Sequence, residues 1–153
     1  GNNPDILSQV IPFTQLDRII LPITPVTLPF DVYGAEPPHS WCYYFQKADL
    51  ARQQQDWHTV LLMYEQAKQQ GFWADNNAEL LPLIEAYLQT GNWSFAQHET
   101  LQAMDLTKFY NVDAFCASWQ NFPNRAIQAD LALQSGYLQA RDGIFQALNC
   151  SGE

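Results

Sequence analysis

Three histidines, His39, His58 and His98, and a scatter of carboxylates are the groups here that could move a proton or hold a metal. Neither chemistry finds the spacing it needs. No two histidines stand one helical turn apart, and there is no His-Glu-x-x-His run. Acid pairs such as Glu65 with Asp49, or Glu85 with Glu79, work as general acid and base only if a fold brings them together. Scattered acids on helices ordinarily form a solvated face, and the histidines read as exposed or helix-capping. No glycine-rich phosphate loop, Gly-x-Ser-x-Gly or Cys-x-x-Cys occurs. Asn92-Trp93-Ser94 matches a glycosylation acceptor but reads as a helix cap. No catalytic residue, cofactor or metal is expected, and the chain is read as a non-enzyme.

The cysteines Cys42, Cys116 and Cys150 are odd in number and lack the close pairs of a zinc site. Cys42 and Cys116 read first as buried free thiols. A disulfide between two of the three is the alternative and would suit an oxidising compartment. Cys150 could reach either of the others.

The elements that would position such groups follow from composition. The chain has 153 residues, 47% of them apolar, which suits one domain with a true core. Its 7 Lys and Arg against 16 Asp and Glu give a net charge of −9, with no basic cluster. That excludes a nucleic-acid binder, which must neutralise phosphates. Five Trp, seven Tyr and nine Phe argue against disorder. No run approaches the ~18 apolar residues of a membrane span. The opening Gly1-Asn2-Asn3-Pro4-Asp5 does not read as a signal peptide.

Seven of the nine prolines lie in residues 1–38. A helix cannot run through that spacing, yet Ile19-Ile20-Leu21, Val26, Leu28 and Phe30 make the stretch apolar. It reads as an extended strap packing on the body, with a short helix from Pro12 to Ile20. A helical domain follows over residues 39–150. Ser40 is placed to cap a first helix ending near Gln54, and Asp56 a second that stops at Gly71. Leu80, Leu83, Ile84 and Tyr87 mark a third, with Pro82 in its first turns and Gly91 at its end. Asn92 is placed to cap a fourth. Asp56-Trp57 matches Asn92-Trp93 at an offset of 36, which also carries Val60 to Ala96, Ala67 to Ala103 and Ala51 to Tyr87. The four helices therefore read as two repeat units, about 41–74 and 77–104. Trp57 and Trp93 read as core. Degenerate helices follow over 113–149, with Ser135-Gly136 the joint if the last stretch is two helices. About six helices are expected in all.

This unit resembles the tetratricopeptide repeat, whose period is about 34 residues. The resemblance covers 41–104 and rests on Ala48, Ala51, Val60, Tyr64 and Ala67 in one copy and Ile84, Tyr87, Gly91, Trp93, Ala96 and Ala103 in the other. Departures are Gln55 for the usual inter-helix glycine, Thr100 for a large apolar residue, and no repeat-ending proline. The resemblance implies an all-α fold of antiparallel helix pairs. A second resemblance rests on the run from Tyr33 to Gln53. It is similar to the soluble C-terminal tail of uncharacterised bacterial polytopic membrane proteins. That implies a location on the extracytoplasmic (periplasmic or cell-surface) face, as part of a longer protein.

The repeat resemblance implies a groove lined by Phe45, Asp49, Arg52 and Gln53 in the first unit and Leu81, Glu85, Leu88 and Gln89 in the second. Such a mixed face suits an extended peptide. The competing reading is that the strap or last helix fills it, leaving Phe45, Leu81 and Leu88 as core. Phe72 and Trp73, after Gly71, are the candidate exposed aromatics. The expected function is a non-catalytic module for protein–protein or intramolecular contacts. Its partner would be a protein or peptide, or the rest of its own parent chain. The alternative is a substrate-side accessory domain of a membrane glycosyltransferase or transporter, which a sugar-sized pocket with two or more exposed aromatics would favour. A cleft pairing a histidine with a carboxylate would favour an enzyme.

Overall fold

The computed structural model describes residue 13 and residues 29–35, 37–106, 112–120 and 131–150. Most of the expected strap and its helix, with Phe122, Pro123 and Ile127, lies outside them. The chain divides into two units, Gly1–Pro37 and Pro38–Glu153. In the first, Phe30–Tyr33 forms one helical turn with exposed side chains, closed by Gly34 N–H donating to Phe30 O at 2.7 Å. Here the expected extended backbone is helical instead.

The second unit is all helix among its described residues. Its helices are α1 (Trp41–Gln53), α2 (Trp57–Gln69), α3 (Leu81–Gln89), α4 (Trp93–Leu106), α5 (Val112–Gln120) and α6 (Leu131–Leu148). A 3-10 turn, Asn77–Leu80, leads into α3. α1 packs on α2 and α3 on α4, the two pairs meet through α2 and α3, and α5 and α6 pack on the second pair. None of the helices with described residues is long and apolar enough to cross a membrane.

The pairing is written in the turns. Asp56 N–H donates to Ala51 O at 2.9 Å, and Asn92 N–H, 36 residues on, donates to Tyr87 O at 2.9 Å. Gln55 and Gly91, at the same offset, both turn left-handed, with φ of 60° and 77°. Such a residue lets the following amide reach back and satisfy a carbonyl at the helix end. The bond recurs where Phe72 N–H donates to Ala67 O after Gly71, and where Cys150 N–H donates to Phe145 O after Asn149. The core repeats at the same offset. Ala48 and Ile84, Val60 and Ala96, and Ala67 and Ala103 are all fully buried. The helix-pair packing is therefore repeat-like.

The helix starts are less uniform. Asp56 accepts from Thr59 N–H at 3.1 Å and from Thr59 Oγ1 at 2.6 Å, and these bonds hold its carboxyl below the usual range. Ser40 makes no side-chain cap bond. The Asn92 amide instead donates to Thr90 Oγ1 at 2.8 Å. Pro82 falls in the first turn of α3 and is buried there.

The second pair is closed by the C-terminal helices. Trp119 of α5 is fully buried and donates through Nε1 to Thr100 Oγ1 at 3.0 Å, while Thr100 donates to Ala96 O at 2.7 Å. Thr100 replaces a large apolar residue because Trp119 occupies that space and needs an acceptor. The Tyr137 hydroxyl donates to Trp119 O. Trp57 and Trp93, read as core, are only half-buried at its edge, whereas Trp41 and Trp119 are inside. Gly136 is no joint: α6 runs through it, and a Cβ there would lie 3.4 Å from the Trp93 ring. The glycine permits close approach of α6 to α4, where Gln97 Nε2 donates to Ala140 O at 2.9 Å.

Cys116 departs from the free-thiol reading and Cys42 from the expected burial. Cys116 of α5 is bonded to Cys150, just beyond α6, with Cα atoms 5.7 Å apart. Cys42 is free but exposed rather than buried. Closing a loop of 34 residues stabilises the fold by roughly 4 kcal/mol on the chain-entropy account.

Two substitutions probe these turns and this network. Thr100→Val leaves the buried Trp119 N–H without an acceptor and should cost about 1–3 kcal/mol in urea melts. Gln55→Gly removes a left-handed penalty of roughly 1–2 kcal/mol against a chain-entropy loss of about 0.4–1 kcal/mol. The same melts should therefore show a net gain, and none at Gly91→Gln, which should lose stability.

Candidate functional site

The residues expected to line a groove fall on facing sides of α1 and α3. Arg52 Nε bonds Asp49 Oδ1 at 2.8 Å, and its second nitrogen reaches Glu85 Oε2 at 3.3 Å across the two pairs. Gln53 Nε2 donates to Asp49 Oδ2 at 3.0 Å. Burial opposes the Arg52 charge, but the Asp49 bond and the Glu85 and Asp49 charges outweigh it and raise its pKa. Phe45, Leu81 and Gln89 are half-buried, with Phe45 stacked on Trp41 at 6.3 Å. Leu88 is fully buried and lines nothing. Asp49, Arg52, Gln53 and Glu85 on this face thus bind one another.

The acid pairs raised by the sequence are separated by these partners. Asp49 and Glu85 share Arg52, Glu65 accepts from Gln69 Nε2 at 3.1 Å, and Glu79 accepts from Trp41 Nε1 at 2.6 Å. His58 and His98 are exposed, and His39 stacks on Tyr43 at 3.5 Å.

A cleft of about 490 Å³ opens on the other side of α3. Leu83 and Tyr87 face it, each two residues from Glu85 and so about 200° round the helix. One wall is α2, through Leu61, Glu65 and Lys68; the other is α4, through His98, Glu99, Gln102 and Asp105. These are the second helices of the two pairs. The loop Phe72–Ala74 closes one end, with Trp41, Tyr64 and Leu80 beneath. Glu79 fixes that loop, since its Oε2 accepts from Asp75 N–H at 2.9 Å as well as from Trp41.

Phe72 and Trp73 therefore sit together at the cleft end, apart from the groove residues. Trp73 is 62% exposed, while Phe72 is half-buried with its ring 6.0 Å from Tyr44. Tyr87 is half-buried and stacks on exposed Phe95 at 5.3 Å. Its hydroxyl is held protonated above the usual range by burial and by the Glu99 and Glu65 charges from opposite walls. Burial likewise raises the Glu99 carboxyl, against the weaker pull of His98 and Lys68. Glu99 has no hydrogen bond or close ion pair among the described residues.

His98 and Glu99 are neighbours on one helix and do not bond each other, and among the described residues no Ser, Thr or Cys lines the cleft. Among the described residues no group of His, Cys, Asp and Glu could hold a metal. The arrangement places aromatic surfaces beside carboxylates.

No family model, curated protein or solved structure matches the chain.

The sequence analysis missed the α2–α4 cleft. One signal pointed there: the repeat offset places Tyr87 where the first unit has Ala51. A bulky phenol replacing a small core residue must find room outside the helix-pair seam.

The buried Glu99 charge has a measurable cost. Its folded pKa lies above the ordinary 4.5, so the folded state binds the proton more tightly than the unfolded one. That stability is present at low pH and is lost as pH rises through the folded pKa. Glu99→Gln should therefore be more stable than wild type near pH ~7, and urea melts near pH ~3.5 should show the difference gone.

Proposed function

We propose that the chain is a non-catalytic binding module and that the cleft between α2 and α4 receives a segment of a protein partner. The observation that carries this reading is an open cleft of about 490 Å³, walled by two separate helix pairs and ending at exposed Trp73. Binding sites combine concave apolar surface with a few placed polar groups, and exposed aromatic side chains mark contact surfaces. The α1–α3 face is the weaker candidate, because Arg52, Asp49, Glu85 and Gln53 already satisfy one another. The tetratricopeptide-like assignment is part of this proposal and is supported by the matched turns and core.

A setting on the extracytoplasmic face of a membrane, as the soluble part of a longer protein, is proposed with it. The Cys116–Cys150 disulfide supports an oxidising compartment. A role beside a membrane glycosyltransferase or transporter has less behind it. It asked for two exposed aromatics in a sugar-sized pocket, and the cleft's described residues supply Trp73.

The test is peptide selection. Peptides chosen from a random library on the wild-type chain should bind Gln102→Trp, which fills the cleft from an exposed position, at least ~10-fold more weakly. Trp73→Ala should weaken them too. Selected peptides that bind both variants as tightly as wild type would place recognition elsewhere and end this reading.

A further inference from the structure

We infer that the segment taken up by this cleft is basic, with an Arg or Lys side chain laid across Tyr87 between Glu65 and Glu99. The inference rests on the binding reading above and adds the chemistry of the partner.

Charge is the first argument. The cleft carries three carboxylates, Glu65, Glu99 and Asp105, against one ammonium, Lys68, and the imidazole of His98. An acidic segment would be repelled by the α4 wall, where Glu99 and Asp105 stand, and would gain little from the α2 wall, where Glu65 and Lys68 balance. The second argument is desolvation. Glu99 is already partly withdrawn from water and has no hydrogen bond or close ion pair among the described residues. Any segment lying on α4 strips away more of its water. An apolar segment would supply nothing in return, and the cost of a dry, unpaired carboxylate would count against binding. A guanidinium or ammonium supplies both charge and donors.

The third argument is shape. Arg and Lys carry an apolar stem and a charged head. Tyr87 offers a half-buried ring as the floor for the stem, with Phe72 and Trp73 at the cleft end. Aromatic faces also attract cations directly. Carboxylates on opposite walls would then hold the head from both sides, which favours the planar fork of Arg over Lys.

The experiment uses fluorescence anisotropy with three labelled peptides of alternating Leu and Arg, Leu and citrulline, or Leu and Glu. Citrulline keeps the shape of Arg and removes its charge. The proteins are the full chain, the double variant Glu65→Gln with Glu99→Gln, and Gln102→Trp. The carboxamides are near-isosteric and Gln102 is exposed, so each should fold, as circular dichroism will check. The Arg peptide should bind wild type, the citrulline peptide at least ~10-fold more weakly, and the Glu peptide not at all. The double variant should lose a similar factor for the Arg peptide, and binding should fall as salt rises from about 50 to 300 mM. Suppose citrulline binds as well as Arg, the double variant loses nothing, and Gln102→Trp still blocks. The inference is then wrong and the cleft reading stands. Arg-peptide binding untouched by Gln102→Trp would be surface charge attraction and would overturn the inference, as would no binding by the Arg peptide. Peptide selection then decides the cleft reading independently.

Discussion

Everything in the helical unit hangs on one backbone hydrogen bond, made repeatedly. After each of four helices the chain takes a left-handed residue, and the next amide reaches back to a carbonyl of the last turn. The bond satisfies a group that helix geometry leaves orphaned, and it reverses the chain so that the next element folds back on the last. Two such reversals, 36 residues apart, make two helix pairs with the same core positions. Glycine does this at Gly71 and Gly91, and Asn149 does it with the tolerance of asparagine for this region, while Gln55 does it against its preference.

The pairs are alike in backbone and unlike in what they do with it. In the first, Tyr64 fills the seam and donates to Glu79 O. In the second, the matching position is Thr100, and the space goes to Trp119 from outside the pair. Similarly, Ala51 in the first gives way to Tyr87 in the second, which turns outward into the cleft. The cleft is therefore a by-product of asymmetry between the repeats. A strict repeat would close its own seam and leave a plainer surface.

Much of the fold was legible for this reason and the site was not. Helix ends, caps and small core residues are set by local rules, so Asp56, Gly71, Gly91, Val60 and Ala96 marked the units directly. Gly136 left one long helix or two open, because a glycine signals a joint and a close helix approach equally well, and only the Trp93 ring decides between them. Among the groove residues, Leu88 looked available because position on a helix says nothing about what covers it. Asp49, Arg52 and Glu85 looked like ligand groups, and only their mutual distances reveal a closed set. The cleft joins residues from α1 through α4 and the loop between the two pairs, and no spacing rule encodes such a meeting. Phe72 and Trp73 were visible as a pair worth noting, but their place at the end of a cleft came from Glu79 holding the loop.

The bond between Cys116 and Cys150 also sets how the chain would carry load. Tension applied beyond Cys150 cannot peel α6 away from its end, because the force passes through the sulfurs into α5. The stretch from one cysteine to the other, a sequence separation of 34, is withheld from extension, which shortens the fully stretched contour by roughly 110–120 Å. The first helix to feel the pull is then the one that carries Trp119, whose ring is lodged beneath α4. In an anchored chain, that would make the tryptophan the latch, and reducing the disulfide would let α6 unwind before the latch is touched.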